Sequence, residues 1–101
     1  MSEKLNQELL DRLEMFLSGT FHQDVECVDG ALTELIEISS AAYLKSLSIV
    51  ITAFLESSLS KVDKENFIAE NADIYFPNIG KSEIQWLSEV NERVKSAALN
   101  K

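Results

Sequence analysis

The stretch SAAYLKSLSIVITAFLESSLS, Ser40 to Ser60, decides the fold of this chain. Its apolar residues recur at spacings of three and four, the period of an α-helix: Leu44, Leu47, Val50, Ile51, Phe54 and Leu55. Further apolar residues lie on its other sides, and nothing between Lys45 and Glu56 is charged. A helix that is apolar on most of its circumference must be covered by neighbours. We therefore predict a central helix over about residues 40–60 in a small helical bundle.

The same stretch is too short to cross a membrane. Its uncharged run, Ser46 to Leu55, has ten residues, whereas a bilayer core needs roughly 20. The N-terminal sequence MSEKLNQELLDRLE is charged and amphipathic, without the apolar segment of a signal peptide. A lone cysteine, Cys27, cannot form an internal disulfide and suits a reducing compartment. We therefore expect a cytoplasmic protein that has no contact with membranes.

The remaining segments predict more helices and no strand. The first helix should begin at Ser2 or Asn6 and end at Gly19, and the second should run from an Asp29 N-cap to Ile38. With 101 residues, of which 46% are hydrophobic, the chain can bury one core. We predict a single domain, residues 1–101.

The C-terminal half contains two further helices separated by a loop. Asp63 can cap a short helix that ends near Glu70, and residues 73–81, with Pro77 and Gly80, form the loop. The sequence from Ser82 to Gln85 has the S-x-x-Q pattern of a capping box. It predicts a last helix to about residue 98 with Trp86 at its edge. The fold class is therefore all-α, with about five helices.

Acidic residues are concentrated in one part of the chain. The net charge is −8, which disfavours direct binding of nucleic acid. No Lys or Arg occurs from Leu13 to Leu44, and this segment has six acids: Glu14, Asp24, Glu26, Asp29, Glu34 and Glu37. From Lys45 onward, eight acids face seven bases. The acidic segment is either a solvated face or a patch that attracts a basic partner.

Sequence motifs of enzymes are largely missing. The chain has no Gly-rich phosphate loop, no G-x-S-x-G elbow and no H-E-x-x-H pattern. A hydrolase or metal-dependent enzyme would have to use His22, the only histidine, with Asp24 and Cys27, whose spacing matches no standard zinc or calcium site. The competing interpretation is that His22, Gln23 and Asp24 bond to exposed backbone groups at the adjoining helix ends. We expect no catalytic residue, metal, cofactor or small-molecule substrate.

Two motifs resemble a known family. The residues F-H-Q-D at Phe21 to Asp24, followed by Y-F-P-x-x-G-x-S-x-x-Q-W-L at Tyr75 to Leu87, are similar to one family of immunity proteins. These belong to bacterial contact-dependent growth inhibition systems and are of the CdiI type. The resemblance covers roughly residues 10–94, although Val25 stands where the family pattern has an aromatic residue.

The resemblance implies an all-helical inhibitor made in the cytoplasm. Such proteins neutralise the C-terminal toxin domain of a large surface effector, and these toxin domains are frequently nucleases, among which we favour an RNase. Nucleases need basic clefts to hold nucleic acid, so an acidic protein could occlude one. The alternative is a small helical adaptor that binds another basic cytosolic protein.

The resemblance also divides the candidate residues into two sets. Immunity proteins of one fold must match unrelated toxins, so the shared motif residues should support the architecture: Phe21, His22, Gln23, Asp24, Tyr75, Pro77, Gly80, Ser82, Trp86 and Leu87. The six acids of the segment from Leu13 to Leu44 are the candidates for toxin contact. Asp24 belongs to both sets.

Overall fold

Five α-helices and one short 3-10 helix make up the part of the chain that a computed structural model describes, residues 7–21 and 27–101. The helices are α1 (Gln7–Thr20), α2 (Val28–Ile38), α3 (Ala41–Leu55), α4 (Lys61–Asn71) and α5 (Glu83–Asn100), and the 3-10 helix is Phe76–Asn78. Within these two ranges there is no β-strand. The all-α prediction is therefore confirmed.

Helix α3 is central, as its sequence predicts. It packs most extensively on α5 and then on α1. Leu44, Ile51 and Phe54 are completely buried, which agrees with their spacings of seven and three residues along a helix. Among the described residues, no helix has both the length and the hydropathy needed to span a bilayer.

The central helix ends at Leu55, five residues before the end of the apolar stretch. The Ser57 hydroxyl donates to the Phe54 carbonyl at 2.7 Å, and the Lys64 ammonium donates to the Leu55 carbonyl at 2.7 Å. Side-chain donors thus bond to the last carbonyl groups of the helix, and the Phe54 carbonyl also accepts from the Ser57 backbone N–H at 3.2 Å. Ser60 then caps α4, since its Oγ accepts from the N–H of Asp63 at 3.0 Å. The predicted Asp63 cap is wrong because Asp63 lies inside the first turn.

The predicted N-cap of α5, Ser82, is confirmed, Ser40 caps α3, and the predicted N-cap of α2 is displaced. Ser40 and Ser82 each accept a hydrogen bond from the backbone N–H three residues further on, the usual geometry of a serine cap. Helix α2, however, begins before Asp29. Its N-cap is Cys27, whose Sγ accepts from the N–H of Gly30 at 3.3 Å, and the Asp29 side chain bonds to α5 instead.

The end of α1 lies beyond Gly19. The helix continues to Thr20, and the N–H of Phe21 still bonds to the Leu17 carbonyl at 2.9 Å. This short extension precedes Phe21, whose side chain lies in the core and is 1% exposed. Burial of the aromatic ring therefore outweighs the tendency of glycine to stop a helix. The predicted starts at Ser2 or Asn6 lie outside the described residues.

The loop between α4 and α5 is tighter than its sequence predicts. Pro77 lies in the first turn of the 3-10 helix, where its fixed φ is favourable, and Phe76 belongs to that helix although a proline follows it. The N–H of Ile79 donates to the Phe76 carbonyl at 2.9 Å. Gly80 then adopts a φ of +79°, a left-handed conformation that favours glycine.

Candidate functional site

The two sequence motifs meet in space through their aromatic side chains. The rings of Phe21 and Trp86 are 5.0 Å apart at 76°, and those of Phe76 and Trp86 are 5.5 Å apart at 79°. Both are edge-to-face arrangements, which are favourable for aromatic pairs. Trp86 is only 6% exposed and lies inside the core. The prediction that Trp86 lies at the edge of the last helix is therefore wrong. Phe16 extends the cluster from the other side of Phe21.

A backbone hydrogen bond also joins the first motif to the segment just before the second motif. The N–H of Asp73, just after α4, donates to the carbonyl of Phe21, just after α1, at 2.8 Å. Leu87 is completely buried, whereas Tyr75 is 69% exposed. Most of the placed motif residues therefore pack the core or shape the backbone, and Tyr75 differs from them because it is available to solvent. His22, Gln23, Asp24 and Glu26 lie outside the described residues.

Two of the candidate acids lie on the outer side of α2. Glu34 and Glu37 are exposed, and their spacing of three residues places them on the same side of the helix. Ile38 beside them is 78% exposed. Within residues 7–21 and 27–101, neither carboxylate forms an ion pair. We call Glu34, Glu37 and Ile38 the outer face of α2.

Asp29 points in a different direction from these two acids. Its Oδ1 accepts from the Arg93 guanidinium of α5 at 2.6 Å, and the same guanidinium donates to the Thr33 hydroxyl at 2.8 Å. The Asp29 side chain remains 83% exposed, so this surface ion pair contributes at most about 1 kcal/mol to stability. The arginine nevertheless neutralises much of the local charge. The fourth described candidate, Glu14, is exposed on α1.

A second basic residue, Lys101, caps the C-terminal end of α2. The Lys101 ammonium donates to the carbonyl groups of Ile36, Glu37 and Ser39, where the partial negative charge of a helix C-terminus favours a cation. Arg93 and Lys101 are at least 60 residues from their partners in the sequence. No local sequence signal connects them with α2.

A cleft of about 240 Å³ lies between α2, α5 and the loop before α5. Its apolar lining includes Phe21, Leu32 and Trp86, and the ion pair of Asp29 with Arg93 lies on its lining as well. A second ion pair, between Lys81 and Glu89, completes the polar part of the lining. The hydrogen bond from Lys81 lowers the pKa of the exposed Glu89 carboxyl below its usual range.

A sequence model described as CdiI immunity protein matches residues 10–94 of the chain. This range contains both motifs and most of the 101 residues. The chain belongs to the CdiI immunity protein family. Neither the curated proteins nor the solved structures include a significant match to it. The family that the two motifs predict is therefore confirmed.

As a CdiI immunity protein, the chain acts by binding and neutralising a toxin. Its functional site is therefore a protein-binding surface. Among the described residues, no three His, Cys, Asp or Glu side chains are grouped so that they could hold a metal ion. Cys27 is exposed and caps α2, while the predictions made for His22 and Asp24 concern residues that the structure does not describe.

Proposed function

We propose that this CdiI immunity protein neutralises a basic nuclease-type toxin domain, an RNase in our preferred case, by covering its nucleic-acid cleft. The outer face of α2 makes the central contact, with Glu14 of α1 as a further acidic contact. The observation that carries the proposal is the pair of exposed carboxylates without a cationic partner, Glu34 and Glu37. They lie in a segment without Lys or Arg from Leu13 to Leu44.

Long-range attraction and local burial both favour such a contact. A nuclease cleft holds phosphates with Lys and Arg, and unpaired carboxylates on a facing protein accelerate its encounter with such a cleft. Ile38 adds exposed apolar surface beside the two acids. An apolar side chain at the centre of an interface excludes water from the charged contacts around it.

The acids of this segment should not contribute equally. Asp29 already pairs with Arg93 at 2.6 Å, so contact with a toxin cation competes with that internal pair. Glu34 and Glu37 have no such competitor among the described residues. We therefore assign the larger effects to Glu34 and Glu37 and a smaller one to Asp29. Asp24 and Glu26 remain candidates on their sequence alone.

The test measures binding kinetics to the purified cognate toxin C-terminal domain. The double variant Glu34→Gln/Glu37→Gln should reduce the association rate roughly tenfold near 0.1 M salt. The difference should shrink toward 1 M salt, where the Debye length falls from about 10 Å to about 3 Å. If Glu34 or Glu37 forms a desolvated ion pair with the toxin at the centre of the interface, the double variant should also dissociate faster at every salt concentration.

The matched control is Glu70→Gln/Glu92→Gln, which removes two exposed acids from α4 and α5. It should leave both rate constants within about twofold of the wild type, since charges away from an interface steer weakly. Equal effects of the two double variants would remove the outer face of α2 as the binding surface. A toxin domain with neither a basic cleft nor nuclease activity would contradict the proposed target class.

The remaining parts of the proposal follow from inhibition by binding. The protein needs no catalytic group, cofactor or metal, because blocking a cleft requires only a complementary surface. We place it in the cytoplasm, where a delivered nuclease finds its substrate. Fractionation of the cells that express the protein tests its location. An assay of the isolated immunity protein on the toxin's substrate, without toxin, tests whether it has catalytic activity of its own.

A further inference from the structure

The outer side of the central helix α3 has a regular stripe of residues. Lys45, Ile49, Thr52 and Glu56 follow one another at spacings of four, three and four, the spacing of a seam between two paired helices. Lys45, Ile49 and Glu56 are exposed, and Ile49 is exposed by 63%. We call these four residues the outer stripe of α3.

Helices α1 and α5 flank the outer stripe without covering it. A cleft of about 620 Å³ is lined there by Ile49, Thr52, Ala53 and Glu56, with Lys95 of α5 at one side. Small side chains at a contact allow two helices to approach closely. The Thr52 hydroxyl already accepts from the Asn91 amide at 2.9 Å, so an apolar neighbour would not leave this oxygen without a partner.

The two ends of the stripe have opposite charges. Lys45 and Glu56 are separated by 11 residues, about 16 Å along a helix, and every residue between them is uncharged. Neither forms an ion pair within the part of the chain that the structure describes. A uniformly basic or acidic partner would therefore meet a like charge at one end.

A second copy of the chain complements this pattern. A two-fold axis between residues 50 and 51 places Lys45 opposite Glu56 of the second copy, and Ile49 opposite its Thr52. A two-fold contact repeats each pair, so it forms two ion pairs and two Ile–Thr contacts. Parallel pairing would instead place like charges opposite each other, which is unfavourable. The charges thus select the antiparallel arrangement.

We propose that the protein forms a homodimer through the outer stripe of α3, with the two copies of α3 antiparallel. This surface differs from the outer face of α2 and does not depend on the proposed toxin contact. The dimer is held by the central Ile49 side chains and by an ion pair at each end.

Sedimentation equilibrium on the purified full chain, over micromolar to millimolar concentrations, tests the proposal. The wild type should show a monomer–dimer equilibrium. Lys45→Glu and Glu56→Lys each create two like-charge contacts per dimer and should raise the dimer Kd about tenfold or more. The charge swap Lys45→Glu/Glu56→Lys recreates both pairs and should return the Kd to within about threefold of the wild type.

Two further variants test whether a weaker dimer results from the loss of stripe contacts or from a general change in charge or folding. Lys61→Glu makes the same charge change on an exposed residue of α4 and should leave the Kd unchanged. Ile49→Gln alters an exposed side chain outside the core and should weaken the dimer. Its circular dichroism melt should match the wild type at a concentration where both proteins are monomeric, since dimer formation itself raises the melting temperature.

A wild type that is monomeric at every concentration would overturn the proposal. A charge-swapped double variant that dimerises as weakly as either single variant would overturn it as well. Equal weakening by Lys61→Glu would also overturn it. If stripe variants of a monomeric protein lost toxin binding, the stripe would belong to the toxin interface instead.

Discussion

Replacement of Phe21 by alanine should remove the contact that joins the two family motifs. The ring is 1% exposed and packs edge-to-face against Phe16 at 5.7 Å and Trp86 at 5.0 Å. Truncation of a buried phenylalanine costs about 3–5 kcal/mol, through lost transfer free energy and the cavity that remains. A protein of 101 residues has a total stability of about 5–15 kcal/mol, so this variant should be near the limit of folding.

A graded series divides this cost into its parts. Phe21→Leu keeps most of the apolar volume but removes two aromatic pairs, each worth about 0.5–1.5 kcal/mol, so we expect a loss of about 1–3 kcal/mol. Tyr75→Ala is the matched control, because it removes an aromatic residue of the second motif that is 69% exposed. Its stability should change by at most about 0.5 kcal/mol.

Urea denaturation followed by circular dichroism measures the free energy of unfolding of each variant. The variants should retain the wild-type m-value if the same surface is exposed on unfolding. A loss below about 1 kcal/mol for Phe21→Ala, or equal losses for Phe21→Ala and Tyr75→Ala, would refute the structural role that we assign to the first motif.

Two other substitutions test the core and the first motif. Phe54→Ala should lower the free energy of unfolding by about 3–5 kcal/mol, because its ring is completely buried against Phe67 at 5.3 Å; a change below about 1 kcal/mol in the same denaturation assay would show that α3 is not central. His22→Gln should leave toxin neutralisation largely intact in a growth-competition assay, because the sequence has no second histidine; lost protection with an unchanged melting temperature would indicate a site at His22.

The acidic segment shows where prediction from sequence stops. The absence of Lys and Arg from Leu13 to Leu44 is visible in the sequence, and it predicts a region that attracts cations. Which acids are unpaired is not visible, because Arg93 reaches Asp29 from 64 residues away. The exposure of Ile38 is also hidden, since an isoleucine in an amphipathic pattern is expected inside.

The sequence by itself determined the features that depend on near neighbours. The spacing of Leu44, Ile51 and Phe54 predicted the buried side of α3, and the caps Ser40 and Ser82 bond to N–H groups only three residues away. These are local properties, because the period of a helix and the reach of a serine hydroxyl need no information from distant segments.

Only the tertiary structure decided the features that depend on distant segments. Burial of Phe21 against Trp86 carried α1 past Gly19, and the bond to Arg93 took Asp29 away from the cap of α2. Both α1 and α5 flank α3, yet Ile49 remains exposed. Packing energy between residues far apart in the chain exceeds the weak local preferences at these positions. A short segment of sequence therefore cannot predict these helix ends, caps and exposures.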